Sequence, residues 1–313
     1  MSSSHESPVA WVTGAAGFIG RHLCQRLCDL GWQVVALDNL STPDASRGLE
    51  VLSSLPLQFA KLDLHPRAGQ LSDFDDLPFP QYVFHLAAKP GVRSSTCLTD
   101  YLEANCKTTA RLIQVCERRN IRRLIFASSS SVYGNLNRAA SETDLCKPVS
   151  VYGESKLRCE RLLQAACHPH FSVIALRLFS VYGPGQRPDM AFAQWIKAIK
   201  NQEPLHLHHT DPPMYRDFTF VDDAVQGFLK AAAYFEQTPE SYHCFNIASG
   251  ESLTLNTALQ TLEQTLKGSA KVIRRKAHPA EVTQTRANLS HAQQTLGYTP
   301  RYNLRRGLQC TII

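Results

Sequence analysis

The sequence predicts an α/β protein whose larger part is a doubly wound parallel sheet, followed by a smaller substrate-binding domain. Three observations predict it. Short runs rich in β-branched and aromatic residues alternate with amphipathic stretches of helix length through roughly the first 180 residues, the pattern of right-handed βαβ units. The first run passes directly into the glycine-rich turn Gly14-Ala15-Ala16-Gly17-Phe18-Ile19-Gly20. Acids and hydroxyls then recur at the carboxyl ends of later strands, where such sheets hold their ligands. With 313 residues, 43% hydrophobic and 19% charged, the chain can bury one large core or two modest ones.

The elements follow in order. Val9-Ala10-Trp11-Val12-Thr13 reads as a buried strand over 8–13, and Ile19, Leu23, Leu27 and Leu30 line one face of a helix over 17–30. The turn between them lets backbone approach a pyrophosphate resting on the helix N-terminus, although its glycines are spaced three and three rather than as G-x-G-x-x-G. A strand over 33–38 ends in Asp38, about twenty residues beyond the turn, where a carboxylate accepts both ribose hydroxyls and repels a 2'-phosphate. NAD is therefore expected over NADP. A strand over 57–64 ends in Asp63 and Leu64, which suits an adenine edge; either aspartate alone also reads as a cap or turn residue. Strands over 81–87, 122–129 and 171–179 complete the sheet, with helices over 100–119 and 151–167 between them.

The strand over 122–129 runs into Ser128-Ser129-Ser130-Ser131, and the helix over 151–167 opens with Tyr152-Gly153-Glu154-Ser155-Lys156. Tyr152 and Lys156 share one helix face. A phenol, an ammonium and a hydroxyl are the parts that move a proton off a secondary alcohol while its hydride leaves. The lysine, with an oxidised nicotinamide, is expected to lower the tyrosine pKa. Tyr-x-x-x-Lys by itself occurs by chance in many helices.

After Phe179 the pattern changes to Gly183-Pro184-Gly185-Gln186-Arg187-Pro188 and a helix over 190–201. The expected division is 1–179 for the dinucleotide and 180–313 for the substrate, with segments near 216–248 returning to the first part. The net charge of +6 is scattered, and Arg118-Arg119 and Arg122-Arg123 read as solvated charges, so no nucleic acid is expected. No apolar run reaches the eighteen or so residues of a membrane span. The polar residues 1–7 leave no room for a signal peptide before the first strand, and the location expected is cytoplasmic. Ten dispersed cysteines without a Cys-x-x-Cys pair read as reduced thiols, and His206, His208 and His209 lack an acid or cysteine to complete a metal site.

These pieces resemble the extended short-chain dehydrogenase/reductase family, in particular its nucleotide-sugar epimerases and dehydratases. The markers, in the family's order, are Thr13 to Gly20, Asp38-Asn39-Leu40, His85-Leu86-Ala87-Ala88, Ser128 to Gly134, Tyr152 to Lys156, Arg177 to Pro184 and Arg216 to Asp223. Where related dehydratases and decarboxylases carry acids before Val132-Tyr133-Gly134, this chain has Ser130 and Ser131, which leaves 4-epimerisation. Lys89-Pro90-Gly91-Val92-Arg93 and Arg187-Pro188-Asp189-Met190 are most like UDP-glucuronate 4-epimerases.

The resemblance implies NAD as cofactor, held by Gly14, Gly17, Phe18, Ile19, Gly20, Asp38, Asn39, Asp63, Leu64, Leu86, Ala87, Ala88, Lys89, Tyr152 and Lys156. It implies Tyr152, Lys156 and Ser129 as catalytic residues acting through a transient 4-keto sugar. It assigns the UDP-sugar to Val92, Arg93, Ser129, Ser130, Ser131, Tyr152, Ser180, Arg187, Arg216 and Thr285, with the serines on a sugar carboxylate. The small Thr285 leaves room for other sugars, so a UDP-glucose or UDP-N-acetylglucosamine 4-epimerase is the alternative, and a non-catalytic NAD-binding regulator a further one. Ala280-Glu281 and Asn288 depart from the family pattern. A homodimer is implied through the helices over 100–119 and 151–167, with Tyr101, Leu102, Leu112, Leu162 and Leu163 as candidate apolar contacts.

Overall fold

The computed structural model describes residues 7–91, 97–211, 213–237, 241–276 and 282–312. Val92, Arg93, Ala280 and Glu281 lie outside them. The chain begins β1 (Val9–Thr13), α1 (Phe18–Asp29), β2 (Gln33–Asp38), α2 (Ala45–Ser53), β3 (Gln58–Lys61) and β4 (Tyr82–His85). It continues with α3 (Leu98–Tyr101), a π-helical segment (Leu102–Lys107), α4 (Thr108–Arg118), β5 (Arg123–Ser129), α5 (Val151–Ala166) and β6 (Ser172–Leu178). Then come β7 (Val181–Tyr182), α6 (Ala191–Lys200), β8 (Pro204–His209), β9 (Tyr215–Asp217), β10 (Thr219–Phe220), α7 (Val221–Tyr234) and β11 (Tyr242–Ile247). Last are β12 (Ser252–Thr254), α8 (Leu255–Leu266), β13 (Lys271–Lys276), α9 (Ser290–Leu296) and α10 (Leu304–Thr311).

Seven parallel strands form the central sheet in the order β11-β6-β5-β4-β1-β2-β3. The order reverses between β1 and β4, which opens a crevice at their carboxyl ends. Strand alternation builds two cores. Ala10, Val12, Phe84 and Ile125 pack on one face with Leu23 and Leu27 of α1 and Phe228 of α7, whereas Trp11, Val83 and Phe126 pack on the other with Leu112 of α4 and Leu163 of α5. Although it lies beyond position 180, β11 joins this sheet by pairing with β6, from Tyr242 opposite Val173 to Ile247 opposite Leu178. A third core gathers Phe192, Trp195, Leu205, Phe218, Phe220, Leu259 and Leu308 from α6, β8, the β9–β10 region, α8 and α10.

Two boundaries differ from the sequence expectation. The strand expected to reach Leu64 ends at Lys61, because the Asp63 carboxylate accepts the His65 N–H at 2.8 Å and turns the chain. The single helix expected over 100–119 is α3, the π-helical segment and α4. The wider turn frees carbonyls, and the Thr108 hydroxyl donates to Ala104 O at 2.7 Å and Asn105 O at 2.9 Å, while Thr109 donates to Asn105 O at 2.8 Å.

One buried ion pair ties α5 to the sheet: Arg177 of β6 donates from Nε and Nη2 to the two oxygens of Glu160, at 3.0 and 2.8 Å. The Ser128 hydroxyl also donates to Glu160. Removing one partner strands a buried charge. Arg177→Leu is expected to lower stability by about 3–5 kcal/mol in urea denaturation, and Glu160→Gln by less, because the amide retains a carbonyl acceptor.

Candidate active site

The crevice begins with a cradle that only glycine can make. Gly14 adopts φ +68°, and a Cβ there would lie 2.7 Å from the Ala87 backbone nitrogen, so the turn after β1 is pressed against the exit of β4. The helix that follows has no side-chain cap at Gly17 and no acid in its first turn. Its first N–H groups thus present positive potential to the crevice, which fits the pyrophosphate of a dinucleotide. Phe18, Ile19 and Gly20 form that first turn.

Asp38, Asn39 and Asp63 come together at the ends of β2 and β3. Asp38 accepts the Ala16 N–H at 2.9 Å on one oxygen and the Leu40 N–H at 2.8 Å on the other, which fixes the carboxylate and leaves further lone pairs for hydroxyl donors. The Asn39 amide donates to Asp63 at 3.1 Å. Leu64 is buried beside them. Across the crevice, the Leu86 and Ala87 N–H groups donate to the Thr13 hydroxyl at 3.2 Å each. Past Ala88, the Lys89 N–H donates to Asn105 Oδ1 at 2.7 Å.

The serine turn and the tyrosine helix meet because Gly153 has no side chain. A Cβ there would run into the Ser131 carbonyl, and the Ser150 hydroxyl caps α5 by accepting the Gly153 N–H at 3.1 Å. Ser129 thus reaches the Tyr152 phenol. Burial pushes Tyr152 up to about 12, against the lowering influence of the Ser129 hydroxyl and of the Arg187 charge. The expected downward shift is therefore not a property of the polypeptide alone. Lys156, one turn on, donates to Ala127 O at 2.7 Å and lies 4.7 Å from the Phe126 ring centroid, and burial pushes it down to about 8.

Ser130 and Ser131, just past the end of β5, and Ser180, past the end of β6, are half-buried, with the Ser131 N–H donating to Ser129 Oγ at 3.1 Å. Arg187 directs its guanidinium fork at Asp189, at 2.9 and 2.7 Å, while its charge reaches Tyr152. Arg216 and Thr285 come together where β9 runs beside residues 283–285. Arg216 donates to Tyr215 O at 2.8 Å, and the Thr285 hydroxyl accepts the Asp217 N–H at 3.3 Å. Asn288, a departure from the family pattern, accepts the Ser290 N–H at 3.0 Å and serves as a turn residue.

Three polar residues escaped the sequence reading of the site. Asn105, buried in the π-helical segment, also donates to Ser155 Oγ at 3.0 Å, so it ties the Lys89 strand exit to the tyrosine helix. Its only sequence signal is an amide within an apolar helical face. His85 holds Thr13 and Thr109 at 2.8 and 3.0 Å, and burial pushes it down to about 3, so the ring is neutral. Gln186, beside Arg187, is buried, and neither side-chain amide atom has a hydrogen-bond partner among the described residues.

The sequence model of the NAD dependent epimerase/dehydratase family matches residues 10–248. The chain belongs to this family. Among its relatives, the "uncharacterized UDP-glucose epimerase YtcB" of Bacillus subtilis is 34% identical, covering 95% of this chain and 94% of the relative. UDP-glucuronate 4-epimerase 3 of Arabidopsis thaliana is 33% identical over 95% of this chain and 74% of its own length. The crystal structure of UDP-glucuronic acid 4-epimerase from Bacillus cereus, in complex with UDP-glucuronic acid and NAD, superposes with a TM-score of 0.89 at 35% identity, covering 97% and 98% of the two chains. The cradle at Gly14 and the Ser129, Tyr152 and Lys156 side chains stand at the same carboxyl edge of one sheet.

Lys156 carries a stability cost that the lowered pKa measures. Its charged form is disfavoured in the folded chain, so the cost is full below pH 8 and fades as pH rises from about 8 toward its ordinary 10.5. Lys156→Met is expected to stabilise cofactor-free protein by about 1–2 kcal/mol at pH 7, after the lost bond to Ala127 is discounted. Thermal melts across pH check this: the gain should shrink above pH 8.

Proposed function

We propose that this protein is an NAD-dependent UDP-sugar 4-epimerase that interconverts UDP-glucuronate and UDP-galacturonate through a 4-keto sugar. The observation that carries the reading is the turn after β5: Ser129, Ser130 and Ser131 meet the start of α5 with hydroxyls and no acid. A site with one proton-transfer group and no second acid or base removes a hydride and can only return it. Return to the opposite face inverts carbon 4.

In this reading Gly14, Gly17, Phe18, Ile19, Gly20, Asp38, Asn39, Asp63, Leu64 and the Leu86–Lys89 segment would hold NAD, which when bound would supply the hydride acceptor and donor for carbon 4. Tyr152 takes the 4-hydroxyl proton, and Ser129 orients that hydroxyl. The protein's own burial keeps the phenol protonated, so added cationic charge beside it is what brings its pKa toward neutrality. Lys156 supplies part of that charge and the hydrogen bond to the nicotinamide ribose. Residues 1–179, with the returning β11, serve the cofactor, and the part from 180 onward serves the nucleotide sugar. Arg216 and Arg187 attract the diphosphate, for which Arg187 exchanges its Asp189 partner. Ser130, Ser131 and Ser180 surround the sugar carboxylate, which needs such donors if it is buried.

Thr285 favours one second reading. Its small side chain admits a neutral UDP-glucose or UDP-N-acetylglucosamine, and the Bacillus subtilis relative is named for UDP-glucose. Assay of the three UDP-sugars separates the readings. UDP-glucuronate is expected to have the highest kcat/KM, with Tyr152→Phe lowering turnover by roughly 10² to 10⁴. Equal or better use of a neutral sugar establishes the second reading, and no turnover with any of them leaves an NAD-binding regulator.

We propose a homodimer built on α4 and α5, acting in the cytoplasm as the free thiols favour. Of the apolar contacts expected from sequence, Tyr101, Leu112 and Leu163 are spent on the chain's own packing, because the helical period turns them inward. Leu162 remains exposed on α5 with Val151, and Leu145 and Val149 precede them. Sedimentation at micromolar concentration should show a dimer, and Leu162→Asp should shift it toward monomer.

A further inference from the structure

Two thiols stand in contact beside the lysine that serves the proposed chemistry. Cys106, in the π-helical segment, and Cys159, on α5, place their sulfurs 3.8 Å apart. Cys159 follows Lys156 by three residues and so lies on the same side of α5, while Cys106 directly follows Asn105. Cys106 is half-buried and Cys159 buried, so solvent reaches the pair from the Cys106 side. No step proposed for the reaction uses either sulfur.

We propose that Cys106 and Cys159 are a peroxide-sensitive modification site, whose closure to a disulfide moves Lys156 and Asn105 and stops turnover. A disulfide needs sulfurs ~2.05 Å apart, so closing the 3.8 Å contact turns both side chains toward each other and pulls on the π-helical segment and α5 that carry them. Closure also breaks the Cys106 contact with Ser155 O and the Thr109 contact with Cys159, each 3.5 Å. The neighbouring Asn105 then loses its alignment with Lys89 and Ser155.

The chemistry balances with hydrogen peroxide as oxidant. The Cys159 thiolate attacks one peroxide oxygen, the O–O bond breaks, and a sulfenic acid forms as hydroxide leaves and takes up the thiol proton as water. Cys106 attacks that sulfur, the S–S bond forms, the S–O bond breaks, and a second water leaves with the Cys106 proton. Two thiols lose two electrons and the peroxide gains them. Cys159 is the first nucleophile because its contact with Cys106 and the nearby Lys156 charge hold its thiol below the ordinary range, overcoming burial.

The test uses NAD-loaded enzyme titrated with hydrogen peroxide, read by UDP-sugar turnover and by non-reducing peptide mapping after thiol blocking. Activity is expected to fall at least roughly tenfold as a linked Cys106–Cys159 peptide accumulates, and to return with dithiothreitol. Cys106→Ser should keep its basal activity and resist peroxide. Inactivation without the linked peptide, the linked peptide with full activity, or Cys106→Ser inactivated at the wild-type rate would each overturn the proposal. The activity readout rests on the epimerase reading, whereas the peptide map does not, so the two fail separately.

Discussion

The close seating of α5 on the ends of β5 and β6 is the constraint on which the rest of the site depends. Three successive turns of the helix make the contact: Gly153 lies against the Ser131 carbonyl, Lys156 donates to Ala127 O at 2.7 Å, and Glu160 takes the Arg177 fork at 3.0 and 2.8 Å. The spacing of three to four residues puts all three on one face. They act at increasing depth, from a steric fit at the mouth to an ion pair in the core. Because Tyr152 precedes the first contact by one residue, its phenol is placed by the whole ladder and by no single bond.

That ladder is polar, and burying it works against stability. An ammonium group pushed down to about 8 and a phenol pushed up to about 12 are both held where the folded chain disfavours their charged forms. Groups perturbed in this way cluster at functional sites. The surrounding structure compensates with satisfied hydrogen bonds, among them the Asn105 bridge from the β4 exit to Ser155 and the neutral His85 between two threonines. The π-helical segment belongs to the same compromise, since its widened turn carries both Asn105 and Cys106 toward α5.

The sheet order supplies the second half of the site. With β1 and β4 adjacent at the reversal, Gly14 packs on Ala87, and the crevice between them opens at the carboxyl edge where β5 delivers its serines. The glycine cradle and the Tyr152–Lys156 pair therefore face one space, although they lie more than a hundred residues apart in sequence.

The sequence by itself determined the strands that alternate with helices, the glycine turn, Asp38 at a strand end and the Tyr152–Lys156 face, because each is written in local periodicity or in a backbone requirement that few residues meet. The family order of motifs added Ser129, Arg187 and Arg216 as expectations. Only the tertiary structure decided what those groups experience. The direction of the Tyr152 shift depends on burial summed over several elements, and the inward turn of Tyr101, Leu112 and Leu163 depends on which helix face meets the sheet. The return of β11 to the edge of the sheet, the Asn105 bridge and the contact of Cys106 with Cys159 join residues across 16 to 53 positions or more. Local patterning cannot encode such distances, because they are set by how β11, the π-helical segment and α5 pack on a common sheet.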